Sequence, residues 1–376
     1  MRIEPFALER FQSEWEHRVR YNLSESGVRP LSVRQLVGDG PGLDAVLDAP
    51  LIYTQTNGTP DLRAAIAALH PGATADHVQV TNGGSEANFV VTWHLVEPGD
   101  EVVVLVPAYL QIVGLVRAFG GVVREWRMRR GSDGRWRADR AELDALVSTR
   151  TRAIVVNTPN NPTGARLDAA DLDHVARAAD RVGAWVVSDE IYRGAELDGV
   201  ESPSMWGRAS RVIVTGGLSK AYGLPGLRVG WAVAPPDVAA ALWHHHDYTS
   251  IAPGALSDRL ATRALSAETR RTLLARTRAI LRDNVPATEA WLRDCRHSFE
   301  WASPDAGAFV FARYDLPVNS TALVTRLRDE ESVLIVPGDQ FGMDGYLRFG
   351  IGEDADYVRQ GLERLKALLD RVSGAA

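Results

Sequence analysis

The sequence predicts an α/β domain with a mainly parallel sheet, followed by a smaller α+β domain. As far as about residue 265, short apolar runs alternate with longer amphipathic segments, which is the pattern that repeated strand–helix–strand units produce. Beyond that point a long charged stretch precedes three strand-like runs and one final amphipathic segment. A chain of 376 residues is long enough to form both domains.

Six short apolar runs predict the buried strands of the first domain: residues 78–81, 101–106, 153–157, 184–188, 211–215 and 229–234. The amphipathic segments between them predict helices over residues 61–69, 85–95, 109–119, 169–182 and 236–248. Sheets of this kind bind ligands at the carboxyl ends of their strands. We therefore expect the functional residues in the loops that follow these runs.

The second domain begins with a charged stretch, residues 267–293, that predicts an extended helix. Pro286 is expected to kink this helix or to divide it into two. Strands are predicted over residues 308–314, 333–336 and 346–351, and a final helix over 354–372. The expected division is an N-terminal segment (1–45) packed with the small domain, a large domain (46–265) and a small domain (266–376).

Composition narrows the possible partners and the compartment. A net charge of −6 gives no electrostatic reason to expect binding to nucleic acid or to an anionic membrane. No stretch reaches the roughly 18 apolar residues that a membrane span needs. The single cysteine, Cys295, excludes an intrachain disulfide and fits a reducing compartment. We expect a cytoplasmic protein that acts on a small molecule and holds no metal.

The most informative segment is TGGLSKAYGLPGLRVGW, residues 215–231. Lys220 follows a predicted buried strand in a glycine-rich turn, where a lysine that forms a Schiff base must be fixed and partly desolvated so that its amine is neutral near pH 7. Arg228, eight positions further on, can bind a dianionic phosphate through paired hydrogen bonds. An isolated lysine or arginine is usually a solvated surface residue, but that interpretation is poor in this context.

Two further loops carry polar residues after predicted strands. In SDEIYRG (188–194), the Asp189 carboxylate can keep a pyridinium nitrogen protonated, or it can simply cap a helix. Tyr192, three residues later, can donate a hydrogen bond to a ring oxygen. In NTPNNPTGA (157–165), the Asn161 amide can reach the same ring oxygen, although asparagine is also an ordinary turn residue.

Two weaker signals complete the set. In VTNGGSEANF (80–89), the backbone N–H groups of Gly84 and Ser85 form an anion site if a helix begins there. In VPAYLQI (106–112), Tyr109 can stack on a planar ring, and a buried core aromatic is an equally good interpretation.

These five segments, in this order, resemble the class I/II aminotransferases, which are pyridoxal 5'-phosphate (PLP) enzymes of the aspartate-aminotransferase fold (fold type I). The resemblance covers essentially the whole chain. It implies that Lys220 holds the cofactor, that Asp189 pairs with the pyridine nitrogen and that Tyr109 stacks on the ring. It implies that Asn161 and Tyr192 contact the ring hydroxyl. The implied phosphate ligands are Gly84, Ser85 and Arg228.

The resemblance also implies a substrate site and a dimer. Arg348, in GYLRFGIG, resembles the arginine that binds the substrate α-carboxylate, and Asn161 would assist it. Tyr53, in YTQTNGTPDLRAAI, resembles the tyrosine that reaches the cofactor phosphate of the neighbouring subunit. A homodimer with shared active sites and an amino-acid substrate are therefore expected.

The sequence departs from the family pattern at two places. Gly217 stands where many relatives have a phosphate-binding serine or threonine, so that Ser219 or Thr215 would have to supply this contact. NLSESGVRPLS (22–32) is also atypical, and with HHHDYTSIAPGALSDRLA (244–261) it is similar to the capreomycidine-synthase group, which uses the same cofactor to cyclise a hydroxylated arginine. The histidines 244–246 are expected on a solvated helix face, because adjacent helical residues do not point in one direction.

Three functions remain to be compared. In a transaminase, Lys220 moves a proton between the substrate α-carbon and the cofactor C4′, and an eliminating or cyclising enzyme uses the same groups. A ligand-binding regulator on this fold would carry a DNA-binding domain first, whereas only about 45 residues, without a basic helix-turn-helix pattern, precede the first motif. We expect an enzyme whose side-chain specificity depends on residues 1–35 and 244–256.

Overall fold

The computed structural model describes residues 2–295 and 299–374. Its strands are β1 Tyr21–Asn22, β2 Val78–Thr81, β3 Glu101–Val106, β4 Val122–Arg130, β5 Trp136–Ala138, β6 Thr151–Asn157, β7 Trp185–Asp189, β8 Val212–Gly217, β9 Gly230–Val233, β10 Phe299–Trp301, β11 Phe309–Tyr314, β12 Val333–Leu334, β13 Val336–Pro337 and β14 Tyr346–Gly350. Its α-helices are α1 Ala7–Trp15, α2 Val33–Val37, α3 Pro41–Leu47, α4 Pro60–Ala67, α5 Gly84–Leu95, α6 Gln111–Ala118, α7 Arg140–Leu146, α8 Ala169–Asp180, α9 Pro236–His246, α10 Ala255–Leu265, α11 Ala267–Asp294, α12 Ser320–Glu331 and α13 Ala355–Gly374.

An eight-stranded sheet in the order β2-β9-β8-β7-β6-β3-β4-β5 forms the centre of the large domain. The five neighbouring strands β8, β7, β6, β3 and β4 pair in parallel. The strand β9 runs antiparallel to both β8 and β2, and β5 forms an antiparallel hairpin with β4. The parallel strands therefore end at a common edge, which is where ligands bind in such sheets.

Both faces of this sheet are covered by helices. Along β3, Val103 and Leu105 pack into the cluster that includes residues of α4, α8 and α10, whereas Val102 and Val104 pack into the opposite cluster with residues of α5, α6 and α9. This alternation follows from the two-residue period of a strand. Strands buried on both faces appear in sequence as continuous apolar runs, and this explains why the predicted strands lie so close to the observed ones.

The smaller domain contains an antiparallel sheet in the order β10-β11-β14-β13. Helices α12 and α13 pack in its core, which contains Phe349, Leu327 and Leu365. The N-terminal segment is divided between the two cores, since Tyr21 and Leu23 lie in the small-domain cluster while Leu8, Val28 and Leu36 lie in the large one. A parallel pairing of β1 with β12 anchors the segment to the small domain.

Helix α11 continues through Pro286 as one element of 28 residues, so of the two alternatives predicted for Pro286 the division into two helices is wrong. Its N-terminal part contributes Leu274 to the large core, its middle contributes Leu281 to the same core, and its C-terminal part contributes Trp291 and Leu292 to the small core. Among the described residues, no helix is both long enough and apolar enough to cross a membrane.

The elements absent from the sequence prediction share a physical cause. Strand β4 carries four arginines and lies at the exposed side of the sheet, with outward and inward residues alternating. Strand β5 and helices α7, α10 and α12 are short or strongly charged. A weak apolar signal of this kind does not separate an exposed element from a loop.

Candidate active site

The carboxyl ends of β6, β7 and β8 bring Asn157, Asp189 and Thr215 side by side in the sheet. Asp189 Oδ2 accepts a hydrogen bond from Asn88 Nδ2 at 3.0 Å, and Oδ1 accepts one from the backbone N–H of Ile191 at 3.1 Å. Burial raises the pKa of Asp189, although these two hydrogen bonds act in the opposite direction. The carboxylate is thus held in one orientation in a poorly solvated position.

Asn88 is a residue of this site that the sequence did not identify. It lies on α5, is 3% exposed, and accepts a hydrogen bond from Thr215 Oγ1 at 2.8 Å while it donates to Asp189. Its position in the apolar helix run SEANFVV was the available signal, because a polar amide there must find buried partners.

Lys220 follows β8 in the turn Leu218–Gly223, and its Nζ lies 3.5 Å from Glu25 Oε2. Burial alone would lower the pKa of Lys220, but the electrostatic effect of Glu25, with a smaller one from Tyr192, outweighs it and raises this pKa. In return, the Lys220 ammonium lowers the pKa of Glu25, whose side chain is 48% exposed. The Glu25 carboxylate therefore acts against the effect of burial from which the sequence predicted a neutral amine.

An anion-binding cradle lies beside the lysine. Helix α5 begins at Gly84, one residue earlier than predicted, after Gly83 in a left-handed conformation (φ 95°). A Cβ on Gly83 would lie 2.4 Å from Arg228 Nη2, which shows how closely the guanidinium approaches this turn. Arg228 itself has a positive φ of 49°, and its Nη1 lies 3.4 Å from Ser219 Oγ. Free helix N–H groups and a guanidinium together form a suitable phosphate site.

The structure distinguishes the two hydroxyl groups expected to compensate for Gly217. Thr215 is 1% exposed and its hydroxyl is committed to Asn88, whereas the Ser219 hydroxyl lies beside Arg228. A Cβ on Gly217 would be 2.9 Å from Ile191 Cδ1 and 3.0 Å from Val229 O. The isoleucine therefore occupies the space that a larger residue at position 217 would need.

Arg348 and Asn161 form a second polar group of the site. Arg348 Nη1 donates to Asn161 Oδ1 at 2.8 Å, and Nη2 donates to the carbonyl oxygen of Ser24. Arg348 is 1% exposed, and its Nε has no hydrogen-bond partner among the described residues. Asp354, an acid that follows this strand closely in the sequence, lies 3.7 Å from Arg29 instead.

Two tyrosines border the same space. The Tyr192 hydroxyl donates to Ser26 Oγ at 2.9 Å, and the Tyr192 ring packs edge-on against Phe309. Tyr109 packs edge-on against Phe6 and donates to Glu9 Oε1 at 2.6 Å. Both hydroxyl groups therefore contact the N-terminal segment, a contact that sequence reasoning missed.

Tyr53 is not brought to this site within one chain. It is 85% exposed, next to the exposed Leu51 and Ile52. This exposure does not contradict the prediction, which assigned Tyr53 to the neighbouring subunit's cofactor. The structure does correct the prediction for His246, which is 0% exposed rather than solvated, with Nε2 at 3.2 Å from Glu86. The neighbouring His244 is exposed as expected.

The family model and the similar proteins of known function indicate the same family. The family "Aminotransferase class I and II" matches residues 49–365. Capreomycidine synthase of Streptomyces vinaceus is 31% identical, over 94% of this chain and 91% of that protein. Arginine–pyruvate transaminase of Pseudomonas aeruginosa is 30% identical, over 89% of this chain and 86% of that protein.

Solved structures agree with this result. A PLP-dependent aminotransferase from Streptococcus suis superposes with a TM-score of 0.91 at 30% identity, covering 99% of both chains. The PLP-dependent cyclase OrfR superposes with a TM-score of 0.87 at 28% identity, covering 100% of this chain and 99% of that one. The chain therefore belongs to the class I and II aminotransferase family, has its aspartate-aminotransferase-like fold and is a PLP-dependent enzyme.

Proposed function

We propose that this enzyme acts on an α-amino acid, most simply as an aminotransferase in which Lys220 is the reactive lysine. The observation that supports the proposal is the set of groups near the turn that carries Lys220: the poorly solvated Asp189 carboxylate, the anion cradle with Ser219 and Arg228, and the buried Arg348, which acts electrostatically on Lys220. A ligand with a ring nitrogen, a phosphate and an amino-acid carboxylate would satisfy all three groups.

The residues fit the cofactor on physical grounds. Asp189 has no ion-pair partner among residues 2–295 and 299–374, and a buried carboxylate without a cation is costly. A protonated pyridine nitrogen would be that cation. The first-turn N–H groups of Gly84 and Ser85, with Ser219 and Arg228, would hold the phosphate.

The remaining roles follow from the same arrangement. Tyr109 would lie against the ring, and Tyr192 and Asn161 would be the candidates for contact with its hydroxyl. Arg348 would bind the substrate α-carboxylate through a guanidinium that Asn161 and the Ser24 carbonyl already orient.

When bound, pyridoxal phosphate accepts the electrons released as a bond to the substrate α-carbon breaks. Asp189 would keep the proton on the pyridine nitrogen, which maintains this capacity. Lys220 Nζ would remove the α-proton and return it to C4′ of the cofactor, as a general base and then a general acid.

The second candidate function is a cyclase or lyase acting on a hydroxylated arginine-type amino acid. Its support is that a capreomycidine synthase and the cyclase OrfR are similar to this chain over almost its whole length. Both reactions use the same residues, and the fate of the substrate depends on the groups around its side chain.

The test is incubation of the purified enzyme with a panel of amino acids, with and without a keto acid, followed by mass spectrometry. Amino-group transfer supports the aminotransferase, and loss of water or ring closure without transfer supports the cyclase. Lys220→Ala is the control, which should lose the visible absorbance of the lysine-bound cofactor. A wild-type protein that stays colourless with pyridoxal phosphate would contradict the role of Lys220.

A further inference from the structure

The carboxylate of Asp189 is the end of a chain of hydrogen bonds that begins on β8. Thr215 Oγ1 lies 2.8 Å from Asn88 Oδ1, and Asn88 Nδ2 lies 3.0 Å from Asp189 Oδ2. Thr215 is 1% exposed and Asn88 is 3% exposed, so water does not compete readily for either hydrogen bond. The Asn88 amide therefore connects β8 and β7 through helix α5, at the edge of the sheet where ligands bind.

The chemistry of the carboxylate determines the direction of each hydrogen bond in this chain. An ionised carboxylate only accepts hydrogen bonds, so Asn88 must present its NH2 group to Asp189. The amide oxygen of Asn88 then faces Thr215, whose hydroxyl donates to it. An amide rotated by half a turn would place its oxygen against the carboxylate and its NH2 group against the hydroxyl. Thr215 therefore acts on Asp189 by selecting the orientation of Asn88.

The same amide has a third contact, which leads to the anion cradle. Gln111 Oε1 lies 3.4 Å from Asn88 Nδ2, and Gln111 Nε2 donates to the carbonyl oxygen of Ser85 at 2.7 Å. Ser85 belongs to the first turn of α5, and Asn88 lies one helical turn after Gly84. The acid that would face the ring nitrogen and the turn that would hold the phosphate are thus joined through one helix.

The Asp189 carboxylate needs such donors because much of its surroundings is apolar. The cavity that it borders is lined mainly by apolar side chains, among them Val104, Leu105 and Ile112. Burial raises the pKa of Asp189, and the hydrogen bond from Asn88 is the strongest influence that lowers this pKa. A protonated Asp189 would have no charge with which to keep a proton on a ring nitrogen. The donor of Asn88 therefore favours the form of the acid that the cofactor requires.

We propose that Asn88, oriented by Thr215, is a positioning residue that keeps Asp189 an ionised acceptor for the protonated ring nitrogen of the cofactor. This inference rests on the proposed function and adds two residues to the machinery of the same site. Without the Asn88 donor, the carboxylate would be less stable in its charged form and freer to rotate. The contact with the ring nitrogen would then weaken, while the contacts with the phosphate would remain.

The experiment compares two ligands of the cofactor-free enzyme: pyridoxal phosphate and an analogue in which a C–H group replaces the ring nitrogen. Both ligands carry the same aldehyde, hydroxyl and phosphate, so the ratio of their dissociation constants reports the contact at the ring nitrogen. Isothermal titration calorimetry measures both constants. We expect the wild type to bind pyridoxal phosphate about tenfold or more tightly than the analogue, and Asp189→Ala to lose this preference.

Two variants assign the preference to the hydrogen-bond chain. Asn88→Ala should reduce the ratio about tenfold, because a donor to a charged group is lost, while the affinity for the analogue changes little. Thr215→Val replaces the hydroxyl by a methyl group of similar size. It should reduce the ratio by a smaller factor, about threefold, because Asn88 is still present but is no longer held in one orientation.

The matched control is Asn284→Ala in helix α11. Asn284 is also 3% exposed, and its Nδ2 donates to the carbonyl oxygens of Ile351 and Glu353, in the segment after β14. This variant removes the same amide from an equally buried position and should leave the ratio unchanged. Urea unfolding of the cofactor-free proteins identifies a variant that does not fold.

The outcomes separate this inference from the function on which it rests. Equal losses of affinity for both ligands in Asn88→Ala would show a structural role and overturn the inference. If Asn88→Ala does not fold, Thr215→Val decides, and an unchanged ratio in that variant overturns the inference. A wild type that binds both ligands equally tightly would show that Asp189 does not pair with the ring nitrogen, and the failure would then be that of the proposed function.

Discussion

Arg348 is a charged side chain with almost no exposed surface, and burial lowers the pKa of its guanidinium. A guanidinium nevertheless remains protonated, so its charge needs compensation. Among the described residues, its hydrogen-bond acceptors are neutral, the Asn161 amide and the Ser24 carbonyl, while the charges of Glu25 and Glu9 partly offset the effect of burial. The rings of Phe309 and Phe341 lie within 6 Å of the guanidinium. An anionic group from a substrate would complete this environment.

Replacing Arg348 by lysine keeps the charge and removes the two-pronged hydrogen bond. We expect Arg348→Lys to retain the cofactor but to bind amino acids about 10- to 100-fold more weakly, with little effect on a matching amine that has no carboxylate. The measurement is a titration of cofactor absorbance with an amino acid and with the corresponding amine. Equal losses for both ligands would exclude the carboxylate role.

Among individual site residues, the sequence identified those that lie next to a predicted strand. Asp189 directly follows an apolar run, Lys220 lies in the turn after another, and Arg228 directly precedes a third, so their places at strand ends were readable. Asn88 and Glu9 were not found, because their partners Asp189 and Tyr109 lie 101 and 100 positions away. Contacts of this range depend on how the whole chain packs, which local patterns do not encode.

The anion cradle depends on the close approach of β9 to the start of α5. A Cβ on Gly230 would lie 2.3 Å from both Gly83 C and Gly84 N, and backbone atoms cannot rotate away as a side chain does. We expect Gly230→Ala to displace this turn, to destabilise the fold by about 1–3 kcal/mol and to weaken cofactor binding. Gly226→Ala is the matched control in the same motif, since nothing lies within 4 Å of a Cβ there.

Titration of the cofactor-free variants with pyridoxal phosphate, together with denaturant unfolding, measures both effects. If Gly230→Ala binds the cofactor as tightly as Gly226→Ala does, the close approach does not maintain the cradle.

A second contact fixes the same end of α5 to the end of α9. Burial raises the pKa of Glu86, but hydrogen bonds from His246, Ser250, Thr249 and the Asn82 N–H outweigh it and lower this pKa from 4.5 to about 2. Because the pKa of Glu86 is lower in the folded state than in the unfolded state, ionised Glu86 stabilises the fold. This contribution to the free energy of unfolding is complete above pH 4.5 and is lost as the pH falls towards 2.

The shift corresponds to about 3 kcal/mol at neutral pH as an upper value, because the amide of a glutamine retains part of the hydrogen bonding. We therefore expect Glu86→Gln to lower the free energy of unfolding at pH 7 by up to about 3 kcal/mol, and the difference from wild type to shrink below pH 4.5. Urea unfolding at several pH values measures this difference in the free energy of unfolding. Glu97→Gln, which removes the same charge from an exposed position, is the control. A difference independent of pH would show that the Glu86 charge is not its source.

At the scale of the whole molecule, the sequence predicted the class of each domain but not which segments pack into the cores of both domains. Helix α11 contributes to both cores, and the first 36 residues do the same through Leu8, Tyr21 and Leu36. An amphipathic pattern indicates that a helix buries one face, but it does not state against which domain. Domain limits drawn at residues 45 and 265 therefore remain predictions.

Exposed apolar residues cluster in the sequence around Tyr53. Leu47, Leu51, Ile52 and Tyr53 are between 66% and 85% exposed, and a surface of this kind is typical of a protein interface. We expect a homodimer in which Tyr53 of one subunit completes the phosphate cradle of the other. Light scattering should give twice the monomer mass, and a fully active monomer would refute the assembly.

Mixed dimers test whether the sites are shared. Lys220→Ala should be inactive, and Tyr53→Ala should be weak at low cofactor concentration because it loses a phosphate contact. After the two variants are unfolded and refolded together, half of the dimers are hybrids, and one site of each hybrid contains both a native Lys220 and a native Tyr53. Activity should then rise to about a quarter of the wild-type value, since each hybrid restores one of its two sites. If Tyr53 serves the site of its own chain, no site in the hybrid is native, and the mixture should show only the average activity of the two parent variants.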